Sequence, residues 1–291
     1  MTSQSPHEQG KAPGIVEGEF LLTDTDFRKI AQIVHSHAGI YLSEGKAALV
    51  YSRLAKRLRV LGLRTFREYC QLVESAQGVD ERQAMTAAIT TNVTRFLREP
   101  HHFEHLEEQV MPRLAARARA GGRVRLWSAA CSNGQEPYSI AISVLTVLPE
   151  AADLDVKILA TDIDPNMIAE GKAGRYSEDA LAPVSLSARR RWFQKADSGW
   201  EVAPELRRLV AFRELNLMGP WPMSGRFDVI FCRNVVIYFD DQTQSRIWER
   251  FVPVMTDDAI LYIGHSERVT GPAAAQLETC ALTTYCLRGA A

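Results

Sequence analysis

Apolar residues recur at helical spacing through the first third of the chain, then give way to short apolar runs separated by turns. Phe27, Ile30, Ile33 and Val34 follow Thr23-Asp24, and Leu49, Leu54, Leu58 and Leu61 follow Ser43-Glu44. Each set falls on one face of a helix that begins with a capping residue. Shorter helices are expected over 66–73 and 81–89. The pattern predicts a helical domain of about four elements, linker included, over 21–97, with no strand signal. The preceding residues 1–20, rich in Ser, Pro, Gly, Gln and Lys, read as a disordered tail.

A longer helix is expected from about 101 to 120, opened by Pro100 and ended by Gly121-Gly122. From there the pattern alternates. Strands are expected at 124–128, 156–161, 210–214, 229–232 and 260–263, with helices at 136–148, 165–171 and 242–255. A last strand over 281–287 would be antiparallel. Strands separated by helices predict an α/β domain over 98–291 built on a mostly parallel, doubly wound sheet. The span 176–214 breaks the alternation with a basic helix over 186–193 and the run Gly199-Trp-Glu-Val. It reads as a small inserted β-subdomain.

Chemistry concentrates at one strand-to-helix junction, Leu126-Trp-Ser-Ala-Ala-Cys-Ser-Asn-Gly-Gln-Glu136. In an open α/β sheet, nucleotide-like ligands bind beyond the carboxyl end of such a strand. Gly134 and its small neighbours permit close approach to the backbone. The spacing is not Gly-x-Gly-x-x-Gly, and Glu136 at the helix start would repel a pyrophosphate. Asp162 ends the next strand about 20–30 residues on, where such units keep a carboxylate for ribose hydroxyls. Asp164-Pro165 then supplies an N-cap and a first helical proline. Together these features suggest an adenosine ligand without phosphate, of which S-adenosylmethionine is the commonest.

Bulk numbers narrow the picture further. A net charge of −1 and 46% hydrophobic residues describe an ordinary globular chain, not one built for nucleic acid or an anionic membrane. No apolar run reaches the roughly 18–20 residues of a membrane span. The start of the chain lacks a signal peptide's apolar core. Five cysteines without CxxC spacing fit a reduced, cytoplasmic setting.

Two further segments each have a bland and a functional reading. Thr90–Glu99, as Thr-Thr-Asn-Val-Thr-Arg-Phe-Leu-Arg-Glu, is a polar linker, or a strap across the ligand cleft in which Arg98 holds a carboxylate. Phe231-Cys-Arg-Asn-Val-Val-Ile-Tyr-Phe-Asp240 is a strand end with a packed tyrosine, or brings Asn234 and Tyr238 beside a transferred methyl. The basic run Arg53-Leu-Ala-Lys-Arg-Leu-Arg59 is a solvated helix face, or a docking surface for an acidic partner. His101, His102 and His105 lack the spacing of a ligand set, and no metal is expected.

Taken in order, the helical N-terminal part, Thr91–Glu99, Trp127–Ala141, Ala160–Asp164, Phe231–Asp240 and Gly264-His-Ser-Glu267 resemble the CheR family of chemotaxis receptor protein-glutamate O-methyltransferases. The resemblance covers nearly the whole chain after about Leu21. It implies a helical domain facing the receptor and a Rossmann-like domain that uses S-adenosylmethionine. It also implies transfer of methyl to glutamate carboxylates on chemoreceptor cytoplasmic helices, for sensory adaptation. By motif, Asn92, Thr94, Arg98, Glu136 and Asp162 would frame the cofactor. Asn216 and Leu217 would meet adenine, and Arg233 and Asn234 the methionyl end. Arg98 and Tyr238 would lie nearest the methyl, and Arg53, Arg57 and Arg59 would dock the receptor. A monomer is expected. Departures are Gln135 in place of a glutamate, Arg95-Phe-Leu in place of Phe-Phe, and a short Lys195-Ala-Asp-Ser-Gly-Trp200 turn. Members that tether to a receptor's C-terminal pentapeptide have a longer, glycine-rich loop there, so no tether is expected. Alternatives within the same sequence are a non-catalytic module binding adenosylmethionine or adenosylhomocysteine, and a methyltransferase for another protein carboxylate.

Overall fold

A computed structural model describes residues 14–16, 18–90 and 92–289. The chain divides into two compact units, Met1–Thr90 and Thr91–Ala291.

The first unit opens with a two-stranded antiparallel ribbon, β1 (Gly14–Val16) and β2 (Leu22–Thr23). Four helices follow: α1 (Asp24–Ala38), α2 (Ala47–Leu61), α3 (Phe66–Glu74) and α4 (Val79–Ile89). Thr23 starts α1 with a reciprocal capping box to Asp26. Of the expected tail over 1–20, Gly14–Val16 pairs in this ribbon and residues 18–20 lead into it, while residues 1–13 and 17 lie outside the described residues. Phe20 and Leu22 are buried, and the Phe20 N–H donates to the Tyr51 hydroxyl at 3.3 Å. A strand of two residues is too short to leave an alternating pattern.

The second unit begins with α5 (Pro100–His105), a π-helical turn over Leu106–Val110, and α6 (Met111–Arg119). The expected single helix is thus interrupted. Pro112 cannot donate to the carbonyl four residues back and its ring crowds that carbonyl, so the preceding turn widens. The main elements are then β3 (Val124–Ala129), α7 (Gln135–Val147), β4 (Val156–Asp162), α8 (Pro165–Ala173) and β5 (Arg175–Tyr176). Next come α9 (Leu186–Trp192), β6 (Phe193–Ala196), β7 (Gly199–Val202), α10 (Pro204–Leu209) and β8 (Val210–Glu214). The chain closes with β9 (Phe227–Cys232), α11 (Asp241–Phe251), β10 (Met255–Ile263), β11 (Leu277–Ala281) and β12 (Thr284–Leu287).

Seven strands form one sheet in the order β11-β12-β10-β9-β3-β4-β8. From β10 to β8 all pairs are parallel, and the β11–β12 hairpin adds on antiparallel. The expected fold class holds: a mostly parallel, doubly wound sheet. All six residues of β9 are buried, as a strand covered on both faces requires. Strand order reverses between β3 and β9, so a crevice opens beyond their carboxyl ends.

Two boundaries differ from the sequence reading. β8 pairs with β4 in the main sheet, so the insertion closes before it. Its own sheet is β5-β7-β6, with β6 and β7 joined by the tight turn Asp197-Ser198. The expected last strand over 281–287 is a hairpin, because Thr283 takes a left-handed φ of 49°.

Candidate functional site

The loop from β3 to α7 turns on three left-handed residues, Ala130, Ser132 and Gly134, at φ 66°, 49° and 92°. At Gly134 glycine is obligatory. A Cβ there would lie 2.9 Å from Gly171 Cα and 2.9 Å from the Tyr176 hydroxyl. The loop is braced from beneath, where Trp127 Nε1 donates to Thr161 Oγ1 at 2.9 Å and the Cys131 N–H to the Thr161 carbonyl at 2.8 Å.

Asp162, at the end of β4, is buried and receives two backbone N–H groups, from Ser132 at 2.8 Å and Asp164 at 2.9 Å. Burial pushes its carboxyl up to about 6, against the pull of those donors. Asp164 caps α8 through Asn166 N–H and accepts from Asn92 Nδ2 at 3.1 Å. The Ser132 hydroxyl reaches the Asn92 carbonyl at 3.2 Å. Asn92 is therefore laced to the same corner as Asp162. On the far side of β4, the Leu215 N–H donates to the Asp162 carbonyl at 2.9 Å, bringing Asn216 and Leu217 to the sheet's carboxyl edge.

The linker crosses α7 by a similar lacing. Phe96 N–H donates to Gln135 Oε1 at 3.0 Å and Leu97 N–H to Ser139 Oγ at 2.9 Å. Gln135 thus keeps the acceptor a glutamate would offer, without its charge. Beyond it, Leu97 and Glu99 take left-handed φ values of 52° and 59° around Arg98. The Arg98 guanidinium donates to the Val93 carbonyl at 3.1 Å, and Thr94 is half-buried between them.

A buried charge network lies beyond the carboxyl ends of β3 and β9. Glu136 accepts from Ser128 Oγ at 2.7 Å and from Arg233 Nε at 2.8 Å. Arg233 also donates to the Arg98 carbonyl at 2.5 Å and meets His102 Nδ1 at 3.0 Å. His102 Nε2 is 2.8 Å from Thr283 Oγ1. Burial, then the Arg233 charge, lower the His102 pKa to about 3, so this imidazole is neutral. Burial would raise the Glu99 carboxyl, but His265 and Arg233 outweigh it and hold it below the usual range.

At the exit of β9, Asn234 adopts φ 58°. Glu267 holds it there by accepting N–H groups from Asn234, Val235, Val236 and Gly264 at 2.6–3.0 Å. Burial raises the Glu267 carboxyl above its ordinary value despite these donors. Tyr238, in a short turn after Asn234, is 37% exposed.

The structure therefore gathers Asn92, Glu136, Asp162, Arg233 and Asn234 along one sheet edge. Arg53, Arg57 and Arg59 belong to the first unit. Arg53 donates to the Ala88 and Thr90 carbonyls, at 2.9 and 3.2 Å. Arg57 forms a fork with buried Glu81, at 3.0 and 2.5 Å, and Tyr69 donates to the same carboxylate at 2.8 Å. These two half-buried arginines are bonded within their own unit, whereas Arg59 is exposed and pairs with Glu19. Sequence reasoning gave no part to Glu99, His102, His265 or Glu267. Their only traces were the Thr91–Glu99 and Gly264–Glu267 motifs and the weighing of His102 as a ligand. Glu99, His101 and His102 bring ligand atoms within 4.8 Å of one another. The Arg233 guanidinium occupies the same space, which disfavours a dication.

The donor set suits S-adenosylmethionine: a small-residue loop, a carboxylate at the end of β4 and, among the described residues, no cluster of cations for phosphates. Two family models match, "CheR methyltransferase, SAM binding domain" over residues 92–286 and "CheR methyltransferase, all-alpha domain" over 25–90. A probable chemotaxis protein methyltransferase of Rhizobium etli is 54% identical over 257 residues, covering 87% of this chain and 96% of that protein. The chemotaxis protein methyltransferase of Escherichia coli K12 is 41% identical, covering 92% of each. Chemotaxis protein methyltransferase 2 of Pseudomonas aeruginosa is 42% identical, covering 86% and 88%. Among the described residues no helix is long and apolar enough to cross a membrane.

Proposed function

The chain belongs to the CheR methyltransferase family, and from that membership we propose that it methylates glutamate side chains on chemoreceptor cytoplasmic helices. Its cofactor is S-adenosylmethionine, which supplies an electrophilic methyl group. Asp162 would receive the ribose hydroxyls. Asn216 and Leu217 would flank the adenine, and Arg233 and Asn234 would border the methionyl end. Asn92, Thr94 and Glu136 frame the pocket by holding its walls, through Asp164, the linker and Arg233.

One observation carries the choice of a carboxylate acceptor. The buried acids and bases of this site are spent on one another: Glu136 on Arg233, His102 on Arg233 and Thr283, Glu267 on four backbone N–H groups. Among the described residues, none of these three buried groups is left over as a general base for an alcohol or amine. A glutamate is already ionised near neutral pH and needs none. What remains for the protein is alignment and exclusion of water, and orientation of this kind supplies up to roughly 7–11 kcal/mol. Arg98 and Tyr238 stand as the residues nearest the transferred methyl. Receptor docking then falls to Arg59 with the exposed Lys56 and Arg64 rather than to Arg53 and Arg57. The two-residue turn between β6 and β7 supports engagement without a pentapeptide tether.

Transfer of labelled methyl to a purified receptor cytoplasmic fragment, read as base-labile methanol, tests this. Signal from the wild type that falls more than about tenfold in Arg98→Ala is expected. Tight adenosylhomocysteine binding without transfer to any receptor of the same cell would instead favour a non-catalytic module.

A further inference from the structure

We infer that His265 receives the incoming acceptor carboxylate, an inference that rests on the methyl-transfer reading above. A carboxylate entering beside Asn234 needs a cation or donor at the mouth of the site. Arg233 cannot serve: its side chain is 2% exposed and is bonded to Glu136, the Arg98 carbonyl and His102. Moving it would leave Glu136 buried without its partner.

His265 has the opposite placement. Its side chain is 67% exposed, yet its ring is fixed, with Nδ1 3.0 Å from Glu99 Oε1. The same Glu99 oxygen accepts from His265 N–H and from Asn234 Nδ2, both at 3.4 Å. One buried carboxylate oxygen therefore ties His265 to the residue assigned to the methionyl end. The turn carrying His265 also sits directly on Asn234. A Cβ at Gly264 would lie 2.5 Å from Asn234 Nδ2, and Glu267 binds the backbone N–H of both residues. The backbone position of His265 is thus set by the same four-donor anchor that sets Asn234.

The chemistry follows from the Glu99 contact. With Nδ1–H given to Glu99, a neutral ring offers only a lone pair at Nε2, which repels a carboxylate. The protonated ring offers Nε2–H to the acceptor while Glu99 balances the charge from behind. His265 is then an imidazolium between two carboxylates, one fixed and one arriving. Other charges about the ring are Arg268, which donates to the His265 carbonyl, and Arg233, 3.8 Å from the second Glu99 oxygen. No proton leaves the acceptor. The imidazolium orients one carboxylate oxygen and leaves the other to attack.

Three variants and two readouts test this on the full chain. His265→Gln keeps a hydrogen-bonding group without charge, His265→Lys keeps charge, and His265→Ala keeps neither. Initial rates against receptor fragment should show KM for the fragment raised at least about tenfold in Gln and Ala and restored towards wild type in Lys. Calorimetric affinity for adenosylhomocysteine should stay within about twofold throughout. Unchanged KM in His265→Gln, or adenosylhomocysteine affinity falling with KM in all three, would overturn the assignment. A wild type that transfers no methyl would instead sink the reaction itself, so the two failures are distinct.

Discussion

Arg233 and Glu136 lie on opposite sides of the sheet's switch point, and the guanidinium Nε stands 2.8 Å from the carboxylate. Both side chains are at least nine-tenths buried. The pair joins the first residue after β9 to the start of α7, so it spans the crevice where the cofactor is assigned. The Ser128 hydroxyl takes the other Glu136 oxygen, and the Arg98 carbonyl and His102 take the rest of the guanidinium. A charge buried this completely is tolerated only because its donors and acceptors are filled.

Removing one partner should therefore be costly. Glu136→Ala leaves a cation under the sheet edge and should lower unfolding free energy by about 3–5 kcal/mol. Urea denaturation measures this. The double variant Glu136→Ala, Arg233→Met should lose less than the two single variants added together. Additive losses would mean the two groups do not act on each other.

Asp162 makes cofactor affinity depend on pH. Its carboxyl is pushed up to about 6 by burial, so near neutrality it is ionised and ready to accept ribose hydroxyls. Affinity for S-adenosylmethionine should fall about tenfold between pH 7 and 5, and Asp162→Asn should abolish that slope. The sign for the empty protein is the reverse. A carboxyl raised in the folded state stabilises below its unfolded value near 4, and that contribution is lost as pH rises through 6. Relative to Asp162→Asn, the wild type should lose about 3 kcal/mol of stability across that window. Flat profiles for both quantities would contradict the burial argument.

Gly134→Ala tests the cradle. The left-handed φ alone costs an alanine about 1–2 kcal/mol, and its methyl would meet Gly171 and Tyr176 at 2.9 Å. Because Gly171 contributes backbone, α8 must move. A lower melting temperature together with at least about tenfold weaker adenosylhomocysteine binding is expected. Loss of stability with intact affinity would separate the loop from the cofactor.

Charge reversal separates docking from folding in the first unit. Arg57→Glu faces the buried Glu81 carboxylate and the Tyr69 hydroxyl, so it should unfold the helical unit, seen as a loss of helical circular dichroism. Arg59→Glu, at an exposed pair, should leave the fold intact and raise KM for the receptor. If both variants behave alike, the distinction between buried and exposed arginines fails.

What the sequence made legible follows from the range of each interaction. The α1 capping box, the Asp164-Pro165 start of α8 and the Gly134 turn are local, and their residue types name them directly. The parallel strands are legible as apolar runs. The π turn before Pro112 is less so, because proline announces a disturbance without saying which of several adjustments relieves it. Contacts made across the fold leave little local mark. Arg57 looked like one more charge in a basic run, and only Glu81, 24 residues on, shows it to be internal. His102 and Glu267 act on residues more than 30 positions away, so neither spacing nor composition could assign their partners.

The Thr283–His102 contact joins residues 181 positions apart, and Arg233–Glu136 joins residues 97 apart. Such closures cost the most chain entropy and come late in folding. The pocket walls are therefore expected to close after β3 and β4 have paired. During refolding from denaturant, recovery of adenosylhomocysteine binding should lag recovery of far-ultraviolet ellipticity. In that interval β3 and β4 would be paired while cofactor is not yet held, so ligand-driven stabilisation is expected only once Thr283 has closed on His102.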